Sequence, residues 1–251
     1  MPHQGPSSNN HADATGTNWQ SHRDTIDQFN VPAVAAKYPA SFGSSFRARR
    51  ERACLLTAIR TLPAGSHVLD IPCGTGRLTR LLVDAGMIVT GADSSPQMVD
   101  LARGNWEASE ADRPIAGEQV RFEVRDVVQT GYPDQCFDAV LCNRLFHHFR
   151  NSSVRVAALS ELRRICRGSI IVSFFNSFAV DGVRFRLKHW LRGTEPTDRI
   201  PIPLQEFKND LETAGLIAES AIPVMWGISP MWYLIMKPQP DSRLPVLRIA
   251  A

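Results

Sequence analysis

Long apolar runs are missing from this 251-residue chain, and none approaches the ~20 residues that a bilayer-spanning helix requires. A transmembrane segment is therefore not expected. Cysteine is sparse, with five residues at scattered positions. An odd, unpatterned set fits a reducing compartment, the cytoplasm, better than a disulfide framework. No pair carries zinc-ligand spacing beside histidines, and no other ligand set can be assembled, so no metal is expected. Charge of one sign is also scarce. The 28 basic and 25 acidic residues leave a net +3, too little to point to nucleic acid as a partner. Met1 to Gln20 lacks the apolar centre of a secretory signal and reads as a disordered leader. What remains is ordinary: 43% hydrophobic and 21% charged residues, enough for one α/β domain with a substantial core and appendages.

The segment Val68-Leu69-Asp70-Ile71-Pro72-Cys73-Gly74-Thr75-Gly76 carries the most information. The run from His67 to Ile71 reads as a strand, and two glycines one residue apart as a tight turn. Arg77-Leu78-Thr79-Arg80-Leu81-Leu82 then takes up helical spacing. Strand, glycine turn and helix start form an arrangement that cradles nucleotide-like ligands, with backbone N–H groups approaching an anionic group where no Cβ intervenes. Absences discriminate here too. Thr79 replaces the third glycine of a dinucleotide loop, and Gly76-Arg77-Leu78 lacks the G-K-[ST] ending of a Walker A loop. An acid, Asp70, stands where a dinucleotide fold has an apolar residue. A tight turn with no ligand is the plain alternative.

Downstream, strand and helix patterns alternate, which implies a parallel sheet with right-handed crossovers. Strands are expected near 67–71, 88–92, 120–124, 137–142 and 169–175, with helices near 76–85, 96–107 and 153–166. Gly168 sits where a helix C-cap glycine belongs. Thr25 to Leu62 reads as helical cover, with Phe46, Leu55, Leu56 and Ile59 as its apolar stripe. Asn176 to Pro203 shows no long period. A helix from Pro203 to Ala214 and two strands, near Ile217–Pro223 and Met231–Lys237, close the chain.

Asp-x-x-x-Gly-x-Gly resembles motif I of the class I S-adenosylmethionine-dependent methyltransferases. Further matches follow in order. Asp93 ends the second strand, before Ser94 and an S-x-x-M helix start at Met98. Asp126-Val127 ends the third strand, and Phe137-Asp138-Ala139-Val140 is similar to the family's fourth strand. The resemblance covers residues 34–237 and implies an α/β fold: a Rossmann-like, seven-stranded, mostly parallel, doubly wound sheet with an antiparallel last strand and helical N-terminal cover. It also implies S-adenosylmethionine as cofactor. The backbone of Gly74 and Gly76 would then hold its methionine part and Asp93 its ribose, with Asp70, Pro72, Cys73, Ser94 and Met98 as further cofactor-binding residues. Asp126 and Val127 would meet the adenine, and Asn143 and Tyr38 would complete the pocket. Asp93 also reads as a helix N-cap, Asp126 as a turn residue, and Tyr38 as a core residue. On this reading residues 1–22 are a leader, 23–62 the helical cover, 63–240 the methyltransferase domain with a substrate-covering insertion at 176–203, and 241–251 a tail.

Val34-Ala35-Ala36-Lys37-Tyr38 and Leu145-Phe146-His147-His148-Phe149 look like the small-molecule branch that includes quinone-biosynthesis methyltransferases. A small-molecule or lipid-like methyl acceptor is the expectation. Asn143-Arg144-Leu145-Phe146 lacks the paired prolines of the nucleic-acid amino-methylating enzymes. His148, or else His147, could remove a proton from the acceptor; capping and packing are the bland readings. Arg184, Arg186 and Lys188 could bind an acidic group on the substrate, although a solvated face over Val183, Phe185 and Leu187 explains them without any ligand. An RNA or protein methyltransferase using the basic clusters, and a non-catalytic cofactor-binding member, stay open. So do peripheral membrane contact and the choice between monomer and homodimer.

Overall fold

Strand β4 (Phe137–Cys142) is apolar at nearly every position, as a strand covered on both faces must be. Successive side chains point to opposite faces. Val140 and Cys142 therefore enter one core, and Ala139 and Leu141 the other. β5 (Cys166–Phe175) divides likewise, with Ile170, Val172 and Phe174 opposed to Ile171. β7 (Met231–Pro238) sends Leu234 and Met236 one way, Tyr233 and Ile235 the other. One sheet between two cores follows from this period of two.

The computed structural model describes residues 23, 26–27, 43–112, 119–191, 193 and 200–239. The expected leader (1–22), tail (241–251) and Tyr38 lie outside them. The remaining strands are β1 (His67–Asp70), β2 (Ile88–Asp93), β3 (Val120–Val124) and β6 (Leu216–Pro223), and the sheet order is β3-β2-β1-β4-β5-β7-β6. Pairing is parallel from β3 through β5, and β7 lies antiparallel to both its neighbours. This is the expected seven-stranded, mostly parallel, doubly wound sheet. Its order reverses between β1 and β4, and the crevice above the strand ends at such a reversal is where these sheets bind ligands.

Helices α1 (Phe46–Ile59) and α2 (Thr79–Asp84) cover one face; α4 (Ser152–Ile165) and α6 (Leu204–Thr213) cover the other. α3 (Pro96–Asp112) follows β2. The Ser45 hydroxyl caps α1 by accepting from the Ala48 N–H at 3.2 Å. The buried face of α1 is Glu51, Cys54, Leu55, Ala58 and Ile59, whereas Phe46 is 60% exposed and drops out of the expected stripe.

Two further expectations are corrected. Gly168 is no helix cap, because α4 ends at Ile165 and Gly168 lies within β5. A Cβ on Gly168 would stand 2.3 Å from the Asp138 carbonyl oxygen, beside a register shift between β4 and β5, so close backbone approach is what requires glycine. Within 176–203, where no period was legible, residues 180–191 form a helix, α5 (Val180–Leu191).

Arg155 on α4 is fully buried. Its guanidinium donates to Asp210 at 2.6 Å, to Glu206, and to the carbonyls of Phe149 and Arg150 at 3.1 and 2.9 Å. Asp210 also accepts from the Ser152 hydroxyl. Such a pair is costly to break, because the surviving charge stays buried. Asp210→Ala is expected to destabilise the fold by about 3–5 kcal/mol and to lower Tm by roughly 10 °C, as thermal unfolding would show. A shift within experimental error would contradict this account of the α4–α6 junction.

Candidate functional site

The chain leaves β1 at Asp70 and turns through residues 71–78. Gly74 and Gly76 take φ of +53° and +75°, the left-handed region that glycine enters without strain. A Cβ on Gly76 would press on the backbone of Ala102 in α3 at 3.2 Å, while one on Gly74 would meet nothing within 4 Å. Both glycine N–H groups are already engaged. Gly74 donates to Asp93 Oδ2 at 2.9 Å and Gly76 to the Cys73 carbonyl at 3.0 Å. Helix α2 begins only at Thr79, three residues later than its spacing suggested. The loop therefore offers a Cβ-free wall, not the anion cradle of free N–H groups.

Asp93 closes β2 and holds the loop from the side. Its Oδ1 accepts from Ser95 N–H at 3.0 Å, and Ser95, not Asp93 or Ser94, caps α3 by accepting from Met98 N–H at 3.3 Å. Burial pushes the Asp93 carboxyl above the ordinary range, against the pull of backbone N–H donors from Ser95 and Gly74. Asp70 lies deeper, fully buried, and among the described residues neither carboxylate oxygen has a hydrogen-bond partner. Burial raises it from 3.8 to about 8, with Arg77 pulling it down and Asp93 pushing it up. The buried Cys73 thiol is likewise pushed up, mainly by burial, and so stays protonated and unfit as a nucleophile.

A third edge comes from the turn after β4. Asn143 is buried and accepts from the Tyr233 hydroxyl at 3.1 Å. Arg144 sits at φ +60°, uncommon for a residue with a side chain. It is pinned by its N–H donating to Ser173 Oγ at 2.7 Å and by two bonds to Glu51, at 3.1 and 2.6 Å. Glu51 also accepts from Arg77 at 3.0 Å. One buried carboxylate of α1 thus joins the glycine loop to the turn after β4.

Two cavities meet here. The first, about 140 Å³, is walled by Pro72, Cys73, Gly74, Asp93, Ser94 and Met98 on one side and by Asn143, Arg144, Leu145 and His148 on the other. The second, about 460 Å³, lies against Phe175, Phe185, Pro201, Val224 and Met231, with Arg47, Glu51, Asp181 and His147. Arg144 and His148 line both. His147 is buried, stacked on Phe175 with ring centres 4.1 Å apart.

Eight of the residues singled out from sequence thus share the first cavity. Asp70 and Gly76 lie behind its wall. Asp126 and Val127 are not in the lining; Asp126 accepts from Val128 N–H at 3.0 Å, the bond of a turn aspartate. Arg184 and Lys188 are exposed on α5 and line neither cavity, and Arg186 is described only as part of that helix. Sequence reasoning missed Glu51, Arg144 and Ser173. For Glu51 a signal was present: it is an acid on the same helical face as Cys54, Leu55, Ala58 and Ile59. Among the described residues no group of three His, Cys, Asp or Glu side chains could hold a metal ion.

Residues 68–168 match a family described as "Methyltransferase domain". The chain is 36% identical over 127 residues to a demethylmenaquinone methyltransferase of Thermus thermophilus, covering 50% of this chain and 51% of that protein. It is 28% identical over 195 residues to a 2-methyl-6-phytyl-1,4-hydroquinone methyltransferase of Synechocystis, covering 71% and 57%. The chain thus spans little more than half the length of these curated relatives. In fold it is similar to the magnesium protoporphyrin IX methyltransferase of Synechocystis with bound SAH. The TM-score is 0.64 at 19% identity, over 88% of this chain and 100% of that one. Sheet order, glycine loop and family match agree: residues 68–168 are a methyltransferase domain, set in a sheet that is similar in fold to the class I S-adenosylmethionine-dependent methyltransferases.

Proposed function

We propose that the chain transfers a methyl group from S-adenosylmethionine to a small, lipid-like acceptor of the quinol type. The observation that carries this reading is the pair of adjoining cavities with Arg144 and His148 in both linings. One is polar at Asp93 and Cβ-free at Gly74; the other, the larger of the two, sets aromatic and aliphatic side chains beside Arg47, Glu51, Asp181 and the two histidines. The relatives' names supply the acceptor class.

The residues fit the cofactor. Asp70 is a buried carboxylate with no hydrogen-bond donor among the described residues, and a cationic ligand at the adjacent loop would favour its ionised form. Asp93 retains lone pairs for a pair of hydroxyls, and any side chain at position 74 would project into the space. Tyr38, Asp126 and Val127 are retained as cofactor contacts on the resemblance alone. When bound, S-adenosylmethionine supplies a methyl group already activated on a sulfonium. The protein's task is then alignment and removal of a proton.

Glu51 fixes Arg144, and with it the wall shared by both cavities. His148 lines both cavities, which supports it as the group that takes the acceptor's proton, while His147 is stacked on Phe175 in the wall of the second. The five cysteines are free thiols, four of them buried, which suits a reducing cytoplasm. Among the described residues no helix is long and apolar enough to cross a membrane.

Incubation with isotopically methyl-labelled S-adenosylmethionine and a panel of reduced quinones tests the assignment. A labelled, methylated quinol is expected. Cofactor binding without turnover on any acceptor would favour a non-catalytic role. His148→Gln is expected to lower kcat by about 100-fold while changing the cofactor Kd far less; an unchanged kcat would remove His148 as the base.

A further inference from the structure

The outer face of α5 is apolar where a surface helix ordinarily is not. Val180, Val183, Leu187, Trp190 and Leu191 recur at helical spacing, and all are exposed, Trp190 at 76%. The opposite face packs inward through Gly182 and Phe185. The stripe continues beyond the helix. Val180 and Asp181 N–H groups donate to the carbonyls of Gly227 and Ile228, at 2.9 and 3.1 Å. This sets the β6–β7 loop, with Trp226 at 80% exposure and Ile228 half exposed, beside the start of α5. The Arg47–Asp181 ion pair at 2.6 Å brings in the N-terminus of α1 and its exposed Phe46.

Contiguous exposed apolar patches of this kind mark interaction sites. Two nearly bare tryptophans are the residues that favour the boundary between hydrocarbon and water. Among the described residues the rim has one sign. Arg184 and Lys188 flank the stripe on α5, and Arg49 and Arg50 stand exposed on α1, while Asp181, the single acid on α5, is held by Arg47. A second copy docked face to face would set these cations against themselves. An anionic, apolar surface meets both features.

We propose that this face seats the protein on an anionic lipid bilayer, with Val183, Leu187, Trp190 and Trp226 entering the interface and Arg184 and Lys188 meeting the headgroups. The same helix walls the second cavity through Asp181, Gly182 and Phe185, so seating there would bring that cavity to the membrane surface. Its use as an entrance for a lipid-like acceptor rests on the function proposed above; the membrane contact itself does not.

Co-sedimentation of the full chain with vesicles separates the two. Phosphatidylcholine vesicles with and without about 30 mol% phosphatidylglycerol would be compared at roughly 0.1 M and 0.5 M NaCl. Binding to the anionic vesicles is expected, weakened by salt, with tryptophan emission shifted to the blue. The triple substitution Leu187→Ser, Trp190→Ser, Trp226→Ser should weaken vesicle binding by at least about tenfold, with Tm and S-adenosylmethionine affinity unchanged. Absence of wild-type binding to anionic vesicles would overturn the proposal, as would a triple variant that binds normally. A dimer in sedimentation velocity that the triple variant abolishes would also overturn it, in favour of a protein interface. None of these readouts requires turnover.

Discussion

Asp93→Ala is expected to weaken S-adenosylmethionine binding by about 100-fold or more. The carboxylate does two jobs at once. It accepts from Gly74 and Ser95 N–H groups, holding the glycine loop against the tip of β2, and it faces the first cavity. A hydrogen bond to a charged group is worth about 1.5–3 kcal/mol. Loss of the loop anchor together with a contact to ligand hydroxyls therefore exceeds the roughly 2.7 kcal/mol that a hundredfold change requires. Calorimetric titration gives the affinity, and a parallel melting curve separates a lost contact from a lost fold. Wild-type affinity in a folded Asp93→Ala protein would contradict the placement of the ligand.

Asp70→Asn should move stability and affinity in opposite directions. In the folded chain this carboxyl titrates near 8 instead of 3.8, chiefly because burial disfavours the ion. Between those values the folded chain holds more proton than the unfolded one, so Asp70 makes stability fall as pH rises from about 4 to about 8. A neutral amide removes that dependence. The cofactor-free variant is expected to melt roughly 5–10 °C higher at pH 7, on the order of 3 kcal/mol, and the advantage should shrink at pH 5. Cofactor affinity should drop, by about tenfold or more, because the ionised carboxylate favours a cationic ligand and the amide does not. In the wild type, binding at pH 7 then releases close to one proton. This is measurable as a dependence of binding heat on the buffer's ionisation enthalpy, and it should vanish in Asp70→Asn, which separates Asp70 from the neighbouring Asp93. A variant that melts lower and binds equally well would contradict both halves.

The legible parts of this molecule were those written in local sequence. The strand runs, the glycine turn and the acid at the tip of β2 follow from periodicity and turn chemistry. The parallel sheet follows from their alternation. What escaped depends on contacts between distant segments. Glu51 and Arg155 sit on apolar helical faces, where a charge looks like an interruption until its partners, Arg77 and Arg144 or Asp210 and Glu206, arrive from elsewhere. Gly168 reads as a cap by position, and only the pairing of β4 with β5 reveals the crowding at Asp138. The alternation of Val183, Arg184 and Phe185 suggested a solvated face over an apolar one, with no long period to assign an element. In α5 it becomes an apolar outer stripe that local pattern could not place. The Gly74 N–H looked free because the Asp93 carboxylate that takes it comes close only after folding, whereas Gly76 is taken by a local turn back to the Cys73 carbonyl.

Titration of the wild-type chain with S-adenosylmethionine and with its demethylated product tests the central claim most directly. Binding of one molecule per chain is expected for each, with Kd at or below about 100 μM and mutual competition. No heat and no thermal shift at ligand concentrations of about 5 mM would contradict the assignment of the cavity beside Gly74 and Asp93.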